Sequence, residues 1–226
     1  IVKDILIMVQ YYKKKIILSA VAMSFAICTK LLPLMFLPFL IKRLGLKTSV
    51  LYFGSIALLT SLFFAPFFYE EIFLNFFQSI DLYFRKFEFN ASIFYIVRWL
   101  GFCAKGWNII QTVGPVMSII VAFIILFIAF REKIVTTKSL LQKMSIALLL
   151  YFGMATIIHP WYVTTLVAFT AFWKWRFPLV WSLLIPLSYF AYSHSNYYEN
   201  LWLIAIEYLA IPIFAFYEWK KGWHEE

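Results

Sequence analysis

Cysteine, glycine and acid are scarce in this chain of 226 residues. The two cysteines, Cys28 and Cys103, stand far apart and in no pair or cluster. That excludes a disulfide scaffold, a thiol redox centre and a cysteine zinc site. Seven glycines, none in a Gly-rich loop before a lysine or a helix, exclude the phosphate-cradling loops of nucleotide-binding folds. There is no HExxH and no nucleophile elbow, so metalloprotease and hydrolase chemistry of those kinds is excluded too. Neither an internal repeat nor a low-complexity linker is present. Charged residues make up only 14%, against about 25% in soluble domains.

What fills the chain instead is hydrocarbon. Hydrophobic residues reach 64%, with 26 Phe and 14 Tyr, and apolar runs of membrane-spanning length recur. The expected fold is all-α: a polytopic transmembrane helical bundle forming one domain over residues 1–226. The expected spans are 16–41, 49–68, 113–130, 140–158, 160–173, 178–192 and 201–217.

The net charge is +9, and its distribution explains it. With 42–48 placed inside, the inside loops are 1–15, 42–48, 131–139, 174–177 and the tail from 218. Fifteen of the twenty Lys and Arg fall in or one turn from these loops. Four (Arg85, Lys86, Arg98 and Lys105) fall in the outside loop 69–112, and none at His159 or in 193–200. Lysine and arginine concentrate on the cytoplasmic side of membrane proteins, so the charge is an orientation signal and needs no nucleic-acid partner.

Two stretches depart from plain spans. The run 16–41 carries Lys30, Pro33 and Pro38 and is positive at both ends. Either it is a hairpin broken near Lys30 and Pro33, or it is one long tilted helix. A lysine within hydrocarbon is costly unless it faces a cavity or a partner. The outside loop 69–112 is too long for a simple connection. Within it, Phe76, Phe77, Ile80, Tyr83, Phe84 and Phe87 recur at helical spacing opposite polar residues. This predicts an amphipathic helix lying in the membrane interface. A second helix is expected over 93–103, with Ser92 as its N-cap.

The polar residues left to carry chemistry gather on one expected face: Glu70, Glu71, Asn90, Arg98, His159, His194 and Glu199, with Lys30 in the membrane. Arginine, lysine and imidazole beside a bilayer suit a phosphate or pyrophosphate headgroup. The carboxylates suit a sugar hydroxyl or a metal. His159 punctuates two apolar runs and is followed by Pro160, Trp161 and Tyr162. Proline fits the first turn of the next helix, and the two aromatics fit the headgroup level. The alternative for His159 is a connecting turn with no ligand.

The segment Thr29-Lys30-Leu31-Leu32-Pro33-Leu34-Met35-Phe36-Leu37-Pro38, followed by Lys42-Arg43, resembles the Thr-Lys-x-x-Pro-x-x-x-x-Pro segment of GT-C-type integral-membrane glycosyltransferases. Phe89-Asn90-Ala91-Ser92-Ile93-Phe94-Tyr95 up to Arg98-Trp99 resembles their outer-loop segment. His159-Pro160-Trp161-Tyr162, then Lys174-Trp175-Arg176, Trp181-Ser182 and Leu187-Ser188-Tyr189, resembles their C-terminal region. The likeness is to bacterial, mannosyltransferase-like members.

It implies transfer of a hexose such as mannose from a polyprenyl-phosphate-linked donor, at the outer face of a bacterial inner membrane. Lys30, Arg98 and His159 would hold the donor phosphate. Asn90, Trp161 and Tyr162 would contact sugar or acceptor. No cofactor is implied. Nothing here matches the family's first outer loop, so the chain is expected to be the C-terminal half, with the catalytic carboxylate upstream. The competing expectations are a transporter or flippase subunit for a lipid-linked or anionic solute, and a structural membrane subunit.

Overall fold

The computed structural model describes residues 16–172, 175–193 and 195–222, the side chains of Glu70 and Phe73 excepted. Lys174 and His194 lie outside the described residues, as do the lysines of 1–15. Every named element among the described residues is helical, and a single parallel bridge, Phe89 with Ile157, is the one extended pairing.

The helices are α1 (Ile16–Thr29), α2 (Ile41–Leu44), α3 (Leu46–Phe64), α4 (Glu70–Arg85), α5 (Ile93–Lys105), α6 (Ile110–Arg131), α7 (Thr137–Met154), α8 (Pro160–Phe169), α9 (Phe177–Leu184) and α10 (Leu201–Lys220). Among the described residues three stretches are long and apolar enough to cross a membrane: Leu46–Phe67, Ile110–Arg131 and Leu201–Lys220. They coincide with three of the seven expected spans.

The other four runs are shorter or interrupted, for reasons visible in the residues. Run 16–41 ends its α-helix at Thr29 and continues as a 3₁₀ segment, Leu32–Leu40, which holds Pro33 and Pro38. Proline lacks the donor an α-helix needs. Run 178–192 changes to 3₁₀ at Ile185–Tyr192, beside Pro186. The helix after His159 has 10 residues, Pro160–Phe169. That is about 15 Å of rise, half the hydrocarbon thickness. Thr137–Met154 opens on a polar turn with Lys138, Gln142 and Lys143.

The chain forms two compact units. The first comprises residues up to Gln78 with Ala122–Ala147, and the second Ser79–Val121 with residues from Leu148 on. In the first unit α1 packs along α3. Small residues on α1 (Ser19, Ala20, Ser24) are fully buried against it, as close packing of membrane helices requires. The Ser19 and Tyr52 hydroxyls pair at 2.8 Å, and Ser24 donates to the Ile56 carbonyl at 3.3 Å. Lys30 lies at the break after α1, with its side chain exposed.

The second unit is built around the loop Glu88–Ser92. Phe89 N–H donates to Thr156 O at 3.0 Å, and Ile158 N–H donates to Phe89 O at 2.8 Å. Phe89, Ile157 and Ala191 form one small core; Ala91, Phe94, Ile110 and Met117 form another. Ser92 precedes α5 as expected, but its hydroxyl does not cap that helix. It donates to Gly153 O at 2.7 Å, because the loop is bound to the end of α7.

Where α4 passes α6, Gly114 is the residue that permits the approach. A Cβ there would lie 2.1 Å from the Phe84 carbonyl oxygen. Gly114→Ala is therefore expected to destabilise by about 1–3 kcal/mol through overpacking. Gly54→Ala, whose Cβ would meet nothing within 4 Å, gains helix propensity instead. Thermal unfolding of both variants in one detergent checks this. A Gly114→Ala protein as stable as Gly54→Ala would mean that the two helices do not approach so closely.

Candidate functional site

The charge pattern assigned 69–112, His159 and 193–200 to one side, and in the second unit these three segments meet. Asn90 is the hinge of the cluster. It is fully buried and adopts φ +49°, a left-handed conformation that asparagine tolerates better than most residues. Its N–H donates to Glu199 Oε1 at 2.7 Å, and its carbonyl accepts from the Tyr208 hydroxyl at 2.7 Å. Glu199 is set just outside α10 by Asn200, whose side chain caps that helix by accepting from Trp202 N–H at 3.0 Å.

On the Glu199 side of this hinge stand Glu88 and Arg98. The Tyr95 hydroxyl donates to Glu199 Oε2. Arg98 Nη1 donates to Glu88 Oε1, and the guanidinium lies 4.3 Å from the centre of the Tyr95 ring. Asn108 donates to Glu88 Oε2 at 3.4 Å and accepts from Ile110 N–H at 3.0 Å, so Glu88 is tied to the start of α6. Tyr197 donates to the Glu88 carbonyl at 3.2 Å. Arg98 Nε and Nη2 meet no protein acceptor among the described residues, so two donors of the planar fork remain for an anion.

The electrostatics follow from burial. Glu199 is half-buried, which raises its pKa. The Asn90 N–H and the Tyr95 hydroxyl oppose that rise, and the nearby Glu88 charge adds to it; the net direction is up. Burial likewise raises the Tyr95 and Tyr197 phenols, and the Glu199 charge adds to both.

His159 is held by rings. It stacks on Trp161 at 4.3 Å and 11°, lies 4.9 Å from Phe89, and meets Tyr162 edge-on at 5.5 Å. Burial lowers its pKa, which keeps the imidazole neutral at pH 7. Pro160 occupies the first turn of α8, as its fixed φ favours. Behind them the Tyr83 hydroxyl lies 3.1 Å from that of Tyr151 and donates to that of Tyr162 at 3.3 Å.

A groove of about 690 Å³ opens beside the polar cluster. Ile96, Trp99 and Leu209 give it an apolar lining. Three of its walls, Tyr95, Trp181 and Tyr208, are the same side chains that bond Glu199, Glu207 and Asn90.

Of the residues singled out from sequence, Asn90, Arg98, His159, Trp161, Tyr162 and Glu199 all belong to this unit. Lys30 belongs to the other. His194 lies outside the described residues, as does the Glu70 side chain. Sequence reasoning missed Glu88, Tyr95 and Glu207. Glu207 carried a signal: it is an ionisable residue inside an apolar run, the same reason that picked out Lys30. Glu88 and Tyr95 carried none, because their partners are brought by other segments.

Among the described residues no group of three His, Cys, Asp or Glu is arranged to hold a metal ion. No protein-family model matches the chain, and neither a curated protein nor a solved structure shows significant similarity to it.

Proposed function

We propose that the chain is part of a polytopic membrane glycosyltransferase of the GT-C type. It moves a hexose such as mannose from a polyprenyl-phosphate-linked donor to an acceptor on the outer face of a bacterial inner membrane. One observation carries this reading. A phosphate-binding fork, Arg98, and a hydroxyl-accepting carboxylate, Glu199, meet at Tyr95, and Tyr95 also walls an apolar groove. A ligand that matches has an anionic, hydroxyl-rich head and a long hydrocarbon tail. The three candidate spans support the membrane setting.

In this reading Arg98 Nε and Nη2 bind the donor phosphate. Neutral His159 donates one further hydrogen bond, and Trp161 and Tyr162 form the wall beside it. Glu199 accepts from a sugar or acceptor hydroxyl. Asn90, fully buried, acts by placing Glu199 rather than by touching sugar. Lys30 is a separate phosphate contact proposed for the first unit.

The test uses a polyprenyl-phosphate-hexose with a photoreactive group on its prenyl chain, added to the protein in bilayers. Saturable adducts at Ile96, Trp99 or Leu209 are expected. Arg98→Ala should weaken labelling about tenfold or more, since hydrogen bonds to charged groups contribute about 1.5–3 kcal/mol. Labelling that is unsaturable, or indifferent to Arg98→Ala, rejects the site. Saturable labelling with translocation of the lipid and no hexose transfer assigns the site to a carrier.

A further inference from the structure

Glu207 sits inside α10, one of the three spans, and is fully buried. A carboxylate there needs compensation. Its contacts give only part of it. Oε1 accepts twice, from Trp181 Nε1 at 2.7 Å and from Asn90 Nδ2 at 3.1 Å. Among the described residues Oε2 has no hydrogen-bond partner, and neither has the Oδ1 of Asn90, the residue that bonds Oε1. Among the described residues no Lys, Arg or His acts on the carboxyl.

The titratable groups near it are the Tyr208 hydroxyl on its own helix and, on the far side of Asn90, Glu199. From α9 it faces the Trp181 indole, which does not titrate. An anion with one oxygen bare, no cation and further acidic groups around it is the arrangement that low-polarity surroundings penalise most.

One proton removes all three faults. Placed on Oε2, it neutralises the group, satisfies that oxygen as a donor, and would pair with Asn90 Oδ1, the buried acceptor without a donor on the residue that already bonds Oε1. The result is a closed ring of two hydrogen bonds, amide N–H to Oε1 and acid O–H to Oδ1. Oε1, now the carbonyl oxygen, keeps the two donors it already has.

We propose that Glu207 is a proton-binding site within the membrane, occupied in the folded protein, and that the neutral acid–amide pair it forms holds Asn90 in its left-handed conformation. Through that residue it places Glu199, because the Asn90 N–H that Glu199 accepts is oriented by the same φ. The proposal goes beyond the transfer reading and stands without it, since it concerns a proton and the fold alone.

Glutamine distinguishes the two charge states. Its Oε1 accepts from Trp181 and Asn90 as before, and its Nε2 donates to Asn90 Oδ1, so it copies the protonated acid and not the carboxylate. Infrared spectra of the full chain in bilayers at neutral pH, wild type minus Glu207→Gln, should lose one carboxylic-acid C=O band, and that band should shift in D2O. Glu199→Gln should leave it in place. The unfolding temperature of Glu207→Gln should stay within about 4 °C of wild type, the shift equivalent to a stability change of 1–2 kcal/mol in a chain of this size, whereas Glu207→Leu should fall well below it. The proposal is overturned if the lost intensity lies only in the carboxylate stretching region. Failure of Glu207→Gln to fold overturns it as well, because the charge would then be what the site requires.

Discussion

Glu132→Leu should lower the stability of the first unit by about 3–5 kcal/mol, the cost of leaving one partner of a buried ion pair alone. The pair is Arg43 with Glu132, whose side chains are 8% and 2% exposed. The geometry is bidentate: Nη1 to Oε2 at 2.7 Å and Nη2 to Oε1 at 2.8 Å. Ser139 donates to Oε1 at 2.8 Å and accepts from Nη2 at 2.9 Å. Lys42 donates to the Phe130 and Glu132 carbonyls, each at 2.7 Å, and so closes the C-terminal end of α6.

Removing Glu132 strands the guanidinium, whose Nε already lacks a partner. The double variant Arg43→Leu with Glu132→Leu should recover much of the loss, since apolar replacement of a whole buried pair is often near neutral. Thermal unfolding of the four proteins of this cycle measures it. A double variant as unstable as the sum of the singles would show that the two residues act apart.

The pH dependence has a definite sign. Burial would raise the Glu132 carboxyl, but the hydrogen bonds from Arg43 and Ser139 outweigh it and hold it below its ordinary value. A depressed acid stabilises the fold above its unfolded pKa, and that contribution is lost as pH falls through the folded one. The Glu132→Leu difference should therefore shrink only below the ordinary carboxylate range.

This pair shows what the sequence disclosed and where it stopped. Counting lysines and arginines put 42–48 and 131–139 on one side, and Arg43 and Glu132 come from those two loops. The same count grouped 69–112, His159 and 193–200, and the second unit joins them through Phe89, Asn90 and Glu199. Charge asymmetry is a property of whole loops, so it survives ignorance of the packing.

Helix lengths were less legible. Hydropathy over a run does not register that Pro33, Pro38 and Pro186 each remove a backbone donor and turn part of the run into 3₁₀ structure. Nor does it register that Phe169 ends a helix after 10 residues. The partners of the site were least legible. Asn90 bonds residues 109 and 117 positions away. No local spacing encodes such a contact, and the Ser92 hydroxyl, a sound N-cap on local grounds, went to Gly153 for the same reason.

Glu199→Gln should reduce hexose transfer by about 10- to 150-fold in kcat/KM, the equivalent of the 1.5–3 kcal/mol carried by a hydrogen bond to a charged group. Glu199 is only half-buried, and each of its oxygens has one strong protein donor, Asn90 N–H on Oε1 and the Tyr95 hydroxyl on Oε2. The Tyr197 hydroxyl also acts on the carboxylate, which with three donors on about four lone-pair sites retains one direction for a sugar or acceptor hydroxyl. The group must be ionised to accept in this way. Burial and the nearby Glu88 charge raise its pKa, while Asn90, Tyr95 and Tyr197 hold it down. Transfer should therefore fall on acidification at a pH above the ordinary carboxylate range. Tyr95→Phe removes one of the three bonds that favour the charged form, so the acid limb should move to still higher pH. A merely structural role for Tyr95 would lower the rate at every pH and leave the limb in place. The measurement is kcat/KM against pH for wild type, Tyr95→Phe and Glu199→Gln in bilayers. An acid limb that persists unmoved in Glu199→Gln would show that another group sets it and that Glu199 binds no hydroxyl in the reaction.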